Sequence, residues 1–134
     1  MCGIFGCIGP NAATQVLEGL RKLEYRGYDS AGLAAIFSEI DETIETERTT
    51  GFVTDLVTKA NGRFKGAIVS IGHTRWATHG GVSDTNAHPH SSHDGRITVV
   101  HNGIIENAMA LSNKLSKLGY RLESETDTEV IVHL

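Results

Sequence analysis

The sequence predicts an α+β domain in which short apolar strands alternate with amphipathic helices. Apolar runs bounded by Gly, Pro, Asn or Asp recur along the chain, as expected for strands. Other segments repeat apolar residues at the three- and four-residue spacing of a helix. The 134 residues, 40% of them apolar and 21% charged, suffice for one compact domain with its own core.

The first part of the chain shows a strand–helix–strand pattern. Residues 4–8 are predicted to form a buried strand, which the turn-forming residues 9–11 end. A helix follows, with Gly27 as its expected C-terminal cap. Its apolar positions recur at helical spacing and are Val16, Leu17, Leu20 and Leu23. Residues 29–32 are predicted as a loop and residues 33–37 as an apolar strand.

The middle of the chain contains two further strands and a short helix. Residues 42–49 are predicted as an exposed edge strand, because the single apolar residue Ile44 alternates with polar residues there. A short helix is expected before Asn61, with apolar residues Phe52, Leu56 and Val57. Residues 67–71 form a compact apolar run that we interpret as a central strand, with residues 73–76 at its end.

The second half begins with an aperiodic segment, residues 77–95, rich in Gly, Ser, Asn, Asp and His. A loop of this length inside a compact domain is functional or disordered. Residues 97–100 are predicted as a buried strand, and residues 106–118 as an amphipathic helix closed by Gly119. The apolar face of that helix contains Met109, Leu111, Leu115 and Leu118.

The last segment starts another helix. Thr126 and Glu129 have the spacing of a capping box, in which the threonine caps the helix and the glutamate caps it in return. No helix-ending signal precedes Leu134. We therefore expect residues 1–134 to be the N-terminal part of a longer domain, incomplete at its C-terminus.

Composition excludes several classes of partner. The net charge is −4 and no block of Lys or Arg stands out, which argues against nucleic acid and anionic membranes. No apolar run is long enough to cross a bilayer, and the N-terminus lacks the pattern of a secretory signal. Two cysteines, Cys2 and Cys7, are too few for a disulfide scaffold. We expect a reducing, cytoplasmic location.

Cys2 is the first candidate catalytic residue. Once Met1 is removed, Cys2 carries both a thiol and a free α-amine. The amine can accept the thiol proton directly or through a water, and the thiolate is the attacking species. The alternative is an incidental cysteine near the N-terminus.

Asn102 and Gly103 follow an apolar strand and are candidate oxyanion donors. A nucleophile that attacks an amide carbonyl needs donors where the negative oxygen forms. The side-chain amide of Asn102 and the backbone N–H of Gly103 could supply two. The alternative is an Asn-Gly turn, a common turn signal.

An amino-acid substrate also requires partners for its two charged groups. Arg75 can hold a carboxylate through two parallel hydrogen bonds, and Asp127 can receive an ammonium. The alternatives are a surface ion pair for Arg75 and helix capping for Asp127.

The histidines raise the question of a metal. His88, His90 and His93 lie close together, but without a thiol or an acidic residue at ligand spacing. A histidine that bonds backbone or substrate explains them as well, and we predict no metal site. The chain also lacks the glycine patterns of phosphate and dinucleotide binding, so no cofactor is expected. Gly80 and Gly81 could act as a hinge for the loop after Trp76.

Six motifs together resemble one family. They are residues 2–6 (CGIFG), 23–32 (LEYRGYDSAG), 73–80 (HTRWATHG), 86–90 (NAHPH), 101–107 (HNGIIEN) and 124–130 (SETDTEV). In this order they resemble the class II glutamine amidotransferases, and among them the glutaminase domains of the glutamine–fructose-6-phosphate aminotransferases (glucosamine-6-phosphate synthases). Phosphoribosylpyrophosphate amidotransferases share the Cys-Gly-Ile start and the Asn-Gly pair, but typically differ at residues 25–28.

The resemblance implies a role for each matching residue. Cys2 would be the nucleophile with its α-amine as base, and Asn102 and Gly103 would form the oxyanion hole. Arg75 would hold the α-carboxylate of glutamine and Asp127 its α-amino group. The remaining positions fall into two groups. A loop that closes over glutamine would contain Trp76, Thr78 and His79, and positions near the site would be Arg26 and His88.

The resemblance also implies a fold and a larger reaction. The fold would be the four-layer αββα sandwich of N-terminal nucleophile hydrolases. Glutamine would be hydrolysed to glutamate and ammonia. In the full-length enzyme a sugar-phosphate isomerase domain that binds fructose 6-phosphate would use the ammonia to make glucosamine 6-phosphate, and the full-length enzyme would be a homo-oligomer. The isomerase domains are absent from this chain.

Two other readings stay open. The chain could be an inactive glutamine-binding fragment, particularly while Met1 remains attached, because the Cys2 nitrogen is then an amide. It could also belong to an amidotransferase with a different acceptor for ammonia. Residues 38–66 carry little of the motif content, so no role is transferred to them.

Overall fold

The computed structural model describes residues 1–41, 43–78 and 80–134, and its class is α+β, as predicted. The strands are β1 (Gly3–Ile8), β2 (Ser30–Ile36), β3 (Glu45–Thr50), β4 (Val69–Arg75), β5 (His90–Ser91) and β6 (Thr98–Val99). The helices are α1 (Ala12–Leu23), α2 (Val53–Ala60), α3 (Ala108–Lys117) and α4 (Glu129–Val132), with a 3-10 turn (Glu24–Arg26) after α1. Within the described ranges, no helix is long and apolar enough to span a membrane.

Four strands form an antiparallel sheet in the order β1-β4-β2-β3. Strand β4 is central, as predicted, because β1 pairs with one of its edges and β2 with the other. The predicted strand over residues 42–49 corresponds to β3 and lies at the sheet edge, as expected. Its first predicted residue, Glu42, lies outside the described residues.

Helices α1 and α2 cover one face of this sheet. The apolar positions predicted for α1 point inward, since Val16 and Leu20 are fully buried. They join Leu33, Val53 and Leu56 in the main core cluster. A side chain at Gly72 of β4 would lie 2.6 Å from Val16 and 2.8 Å from Leu20, so α1 packs directly against the strand backbone. Burial of these side chains is the main source of stability for this half of the domain.

The short sheet β5–β6 lies against the opposite face. The backbone oxygen of His88, two residues before β5, lies 2.1 Å from where a Cβ of Gly32 would be. Ala34 and Ile71 of the large sheet line one cavity together with Thr98 of β6. Helix α4 contacts β5 and β6, and α3 contacts α4. The layer order is therefore helices, sheet, sheet, helices, which is the predicted αββα arrangement.

Several details differ from the sequence prediction. The buried strand predicted over residues 97–100 is only the short β6, and Ile97 is 55% exposed. Residues 30–32 belong to β2 and are not a loop, because β3 and β4 pair with them on both sides. Strand β1 is not buried: Ile4 is 40%, Phe5 38% and Ile8 85% exposed. It is an edge strand, and in the described part of the chain the two-stranded sheet is too short to cover it. Helix α3 buries Leu115, whereas Met109 and Leu118 are exposed.

The predicted capping box is also wrong. Helix α4 starts after Thr128, and the carboxylate of Glu129 accepts hydrogen bonds from the N–H groups of Glu123 (2.8 Å) and Ser124 (2.7 Å). The hydroxyl of Thr126 instead lies 2.8 Å from Nε2 of His90. Both side chains thus connect separate segments rather than close the helix end.

The contact between the two sheets gives a first prediction. Replacing Gly32 by Ala places a methyl group against two backbone oxygens, of His88 at 2.1 Å and of Glu47 at 2.9 Å, which cannot rotate away. We expect Gly32→Ala to lower the free energy of unfolding by about 1–3 kcal/mol. Urea denaturation measures this. Gly6→Ala in β1 is the matched control, because its nearest contact is 3.7 Å away. Equal stability of the two variants would show that the sheets are not in direct contact at Gly32.

Candidate active site

One cavity of about 370 Å³ collects the residues that the sequence singled out. The predicted site residues that line it are Cys2, Arg26, Arg75, Trp76, Thr78, His88, Asn102, Gly103 and Asp127. His79, the remaining predicted residue, lies outside the described residues. The pairing of β1 with β4 brings Cys2 close to Arg75 and Trp76. Gly3 pairs with Thr74, so Cys2 lies beside the end of β4.

The sulfur of Cys2 contacts the backbone of Trp76. The N–H of Trp76 donates to Sγ at 3.3 Å, and Sγ lies 3.6 Å from the Trp76 carbonyl oxygen. A donated N–H stabilises negative charge on sulfur, and the thiolate is the nucleophilic form. Sequence analysis placed Trp76 in a closing loop and did not predict this backbone contact.

Met1 is joined to the Cys2 nitrogen by a peptide bond. The Met1 sulfur lies 3.9 Å from Nη2 of Arg26, and Met1 itself is 78% exposed. While Met1 is attached, the nitrogen of Cys2 is an amide and cannot act as a base. Removal of this exposed residue would place a free amine on the nucleophile itself.

Asn102 and Gly103 lie in the loop after β6. The Asn102 amide Nδ2 donates to the carbonyl oxygen of Cys2 at 3.2 Å, and its Oδ1 lies 2.9 Å from Nε2 of His73. Gly103 has φ of 153°, and a Cβ there would lie 2.8 Å from the His101 ring. Glycine is therefore required at this position by both backbone and space.

Arg75 and Asp127 supply opposite charges to the cavity. Arg75 is 4% exposed, and its Nη1 donates to the Gly81 carbonyl at 3.1 Å, so its guanidinium is held in one direction. Asp127 accepts the N–H of Ile105 at 2.6 Å. The Asp127 carboxylate thus holds the turn next to Asn102. This contact is not the helix cap that was the alternative for Asp127.

Sequence reasoning missed residues that anchor the loop after β4. The Asp29 carboxylate accepts the N–H of Ala77 and the hydroxyl of Ser30. Glu125 accepts the N–H of Gly81 at 3.1 Å and the Asn86 amide at 3.0 Å. These two donors hold the pKa of the Glu125 carboxyl below its usual range. The only sequence signal was that Asp29 and Glu125 fall inside two of the six family motifs.

A stack of buried histidines forms the floor of the site. The rings of His73 and His88 are nearly parallel with centroids 4.2 Å apart, and His90 meets His88 edge-on at 4.7 Å. Nδ1 of His88 accepts the N–H of His101 at 3.3 Å, which is the backbone-bonding alternative considered above. The described residues contain no cluster of His, Cys, Asp and Glu suited to a metal.

Burial keeps these rings neutral. It lowers the pKa of His73 to about 4, although hydrogen bonds with the Asn102 side chain and the His101 backbone act in the opposite direction. Burial also lowers the pKa of His90 to about 4. The pKa of His88 is lowered as well, by burial and by the neighbouring rings of His73 and His90.

Together these groups suit one class of chemistry. A nucleophile and oxyanion donors are what covalent catalysis on an acyl group requires. A cysteine and an asparagine side-chain amide line this cavity, together with an arginine and an aspartate.

Comparison with known proteins identifies the family. A family profile described as a glutamine amidotransferase domain matches residues 53–134, more than half of the chain. The chain belongs to this family, which confirms the resemblance drawn from the six motifs.

Curated relatives match over the whole chain. It is 53% identical to the glutamine–fructose-6-phosphate aminotransferase (isomerizing) of Pyrococcus horikoshii and covers 22% of that protein. It is 54% identical to the enzyme of the same name from Methanosarcina mazei, covering 21%, and 50% identical to that from Streptomyces coelicolor, covering 22%. The chain thus spans about a fifth of the length of these relatives.

Two solved structures share the fold. The glutamine phosphoribosylpyrophosphate amidotransferase of B. subtilis, complexed with ADP and GMP, superposes with a TM-score of 0.81 at 27% identity over all of this chain and 29% of that one. A structure described as the allosteric regulatory enzyme of purine biosynthesis gives a TM-score of 0.82 at 28% identity, with the same coverage. These neighbours confirm the predicted fold of N-terminal nucleophile amidotransferases.

The neutral histidines predict how stability depends on pH. The pKa values of His73 and His90 are about 4 in the folded chain, against 6.5 ordinarily, so between these values the unfolded chain binds more protons. Folding stability is therefore full above pH 6.5 and falls as the pH falls toward 4. Each proton contributes a slope of about 1.4 kcal/mol per pH unit.

Urea denaturation between pH 7.5 and 4.5 measures this slope, because the histidine ionisation falls in this window. We expect His90→Gln to reduce the slope by about one proton. His93→Gln is the matched control, since His93 is exposed, and it should leave the slope unchanged. A slope that is the same in all three proteins would contradict the burial of a neutral ring at His90.

Proposed function

We propose that this chain hydrolyses the side-chain amide of L-glutamine to glutamate and ammonia, with Cys2 as the nucleophile. The observation that carries the proposal is that the Cys2 sulfur, the Asn102 amide, Arg75 and Asp127 line one cavity. A cavity of about 370 Å³ is large enough for one amino acid. Family membership supports glutamine as the amide that is cleaved.

The first step forms a thioester. After loss of Met1, the α-amine of Cys2 accepts the thiol proton, and the thiolate attacks the side-chain carbonyl carbon of glutamine. The negative oxygen is stabilised by Asn102 Nδ2 and the N–H of Gly103. As the C–N bond breaks, the protonated amine of Cys2 donates its proton to the leaving nitrogen, which departs as ammonia.

The second step restores the enzyme. The free amine of Cys2 takes a proton from water, and the resulting hydroxide attacks the thioester carbonyl. The same two donors stabilise the second tetrahedral oxyanion. The C–S bond then breaks, glutamate leaves, and the thiolate regains a proton from the amine.

The other site residues select the substrate. Arg75 pairs with the α-carboxylate of glutamine and Asp127 with its α-ammonium. Trp76 and Thr78 belong to the segment that closes over the bound amino acid. Arg26 and His88 lie beside the site, and no metal or cofactor takes part.

The wider reaction is also a proposal. Residues 1–134 form the N-terminal part of a type 2 glutamine amidotransferase domain. In the full-length protein, ammonia passes to a sugar-phosphate isomerase domain that converts fructose 6-phosphate into glucosamine 6-phosphate, and that protein is a homo-oligomer. The names of the curated relatives support this acceptor. The unpaired state of Cys2 and Cys7 supports a cytoplasmic location. The net charge of −4, without a block of Lys or Arg, argues against nucleic-acid and anionic-membrane partners.

Glutamate release tests the proposal. On chain whose loss of Met1 has been verified by intact mass, we expect release of glutamate and ammonia in equal amounts. Cys2→Ala should abolish release, and Cys7→Ala should retain it, because Cys7 lies outside the cavity. Correctly processed, folded chain that releases no glutamate would refute the hydrolase function.

One rival function is a glutamine-binding module without turnover, because the Cys2 nitrogen cannot act as a base while Met1 is attached. If processed chain releases no glutamate but glutamine still protects Cys2 from iodoacetamide, this binding function replaces the proposed one.

The role of Asp127 gives a separate prediction. Asp127→Asn keeps an acceptor for the N–H of Ile105 but removes the negative charge. Loss of a charged hydrogen bond to the α-ammonium should raise KM for glutamine about 10–100-fold. Steady-state kinetics measure this, with Glu106→Gln as the exposed control of equal charge change. An unchanged KM would leave Asp127 as a support of the turn only.

A further inference from the structure

We propose that His73 is a positioning residue for hydrolysis: its neutral ring, protonated at Nε2, holds the Asn102 amide so that Nδ2 faces the oxyanion. This inference rests on the proposed function, because it assumes that Asn102 stabilises an oxyanion. No motif-based role was transferred to His73, which sequence analysis treated only as the end of a strand.

His73 is held rigidly by a strand, whereas its partner Asn102 lies in a loop. His73 is 1% exposed and lies on the central strand β4, where it pairs with Ile4 on one side and Gly32 on the other. Its Nε2 lies 2.9 Å from Oδ1 of Asn102, which is in a loop and exposed. The strand can therefore fix the orientation of a side chain that its own loop does not fix.

The direction of the amide follows from its other partner. Nδ2 of Asn102 lies 3.2 Å from the carbonyl oxygen of Cys2, which can only accept a hydrogen bond. The NH₂ group must therefore face Cys2, and Oδ1 must face His73. Reversal of the amide would place an oxygen against the Cys2 carbonyl and against the developing negative charge.

The amide direction in turn fixes the proton on the ring. Oδ1 of Asn102 is an acceptor, so Nε2 of His73 must donate. Among the described residues, Nδ1 of His73 is buried without a hydrogen-bond partner. A proton on Nδ1 would leave a buried N–H unsatisfied and place two acceptors face to face. The Nε2–H form avoids both costs.

Packing holds the ring itself in place. The His88 ring lies against it with centroids 4.2 Å apart and planes inclined by 14°. His88 is in turn held by the N–H of His101, the residue that precedes Asn102. Burial, which lowers the pKa of His73 to about 4, is consistent with a neutral ring at working pH.

Loss of the His73 donor should weaken turnover more than binding. Without it, the Asn102 amide can adopt both orientations, and only one of them stabilises the oxyanion. Removal of an oxyanion donor lowers kcat by about 10²–10³-fold. We expect His73→Phe, which keeps a ring but has no N–H, to lower kcat about 10–100-fold while KM changes less than about threefold.

The kinetic test includes a rescue and a control for folding. His73→Gln places an amide N–H near the Nε2 position and should restore kcat to within about threefold of the wild type. The rate of Cys2 alkylation by iodoacetamide needs no oxyanion donor and should be unchanged in both variants. A folded His73→Phe chain with wild-type kcat, or equal losses of kcat in the Phe and Gln variants, would overturn the proposal.

Nitrogen NMR of the wild-type imidazoles tests the proposal without activity. We expect a protonated Nε2 and a bare Nδ1 on His73 at pH 7, assigned by the loss of these signals in His73→Gln. A proton on Nδ1 alone, or on both nitrogens, would overturn the proposal. Wild-type chain that has the expected tautomer but releases no glutamate would count against the hydrolase function and not against the orientation of Asn102.

Discussion

The antiparallel pairing of β1 with β4 is the constraint on which the site depends. Chain termini normally fray, because few contacts hold them. Here six residue pairs, from Gly3 with Thr74 to Ile8 with Val69, hold the terminus against the central strand. Cys2 is thereby fixed one residue before a rigid sheet, and its sulfur reaches the N–H of Trp76 just after β4 ends. A side chain next to the chain terminus is thereby positioned as firmly as a residue of the sheet.

The loops around the cavity obtain their order from long-range hydrogen bonds. Asp29 holds Ala77 across 48 residues, Glu125 holds Gly81 across 44, and Asp127 holds Ile105 across 22. Each of these carboxylates accepts a backbone N–H that would otherwise lack a partner in the loop. Charge-assisted hydrogen bonds of this kind are stronger than neutral ones, so three of them can fix segments that have no regular structure.

These long-range bonds also explain what the sequence could and could not predict. Strands β1, β3 and β4 and helices α1 and α2 were predictable, because apolar periodicity is local, whereas β5 lies within the segment predicted as a loop. Residues 30–32 were misassigned, since small residues become a strand only when β3 and β4 pair with them. Glu129 was assigned to the wrong bond for the same reason: its carboxylate bonds residues 123 and 124, and no spacing rule shows this.

The site residues were predictable as chemical types, but their arrangement was not. Motifs pointed to Cys2, Asn102, Arg75 and Asp127, whereas nothing local linked His73 to Asn102, which lies 29 residues further along. Electrostatics explain why the histidine that contacts Asn102 is neutral. A charged imidazole under the cavity would repel Arg75, and burial together with Arg75 lowers the pKa of His88 and His73. Because the histidine rings are neutral, the positive charge of the cavity lies on the Arg75 guanidinium, which can bind a carboxylate. The neutral rings can still donate an N–H in a fixed direction. A histidine stack thus orients the polar groups of the site without altering its charge.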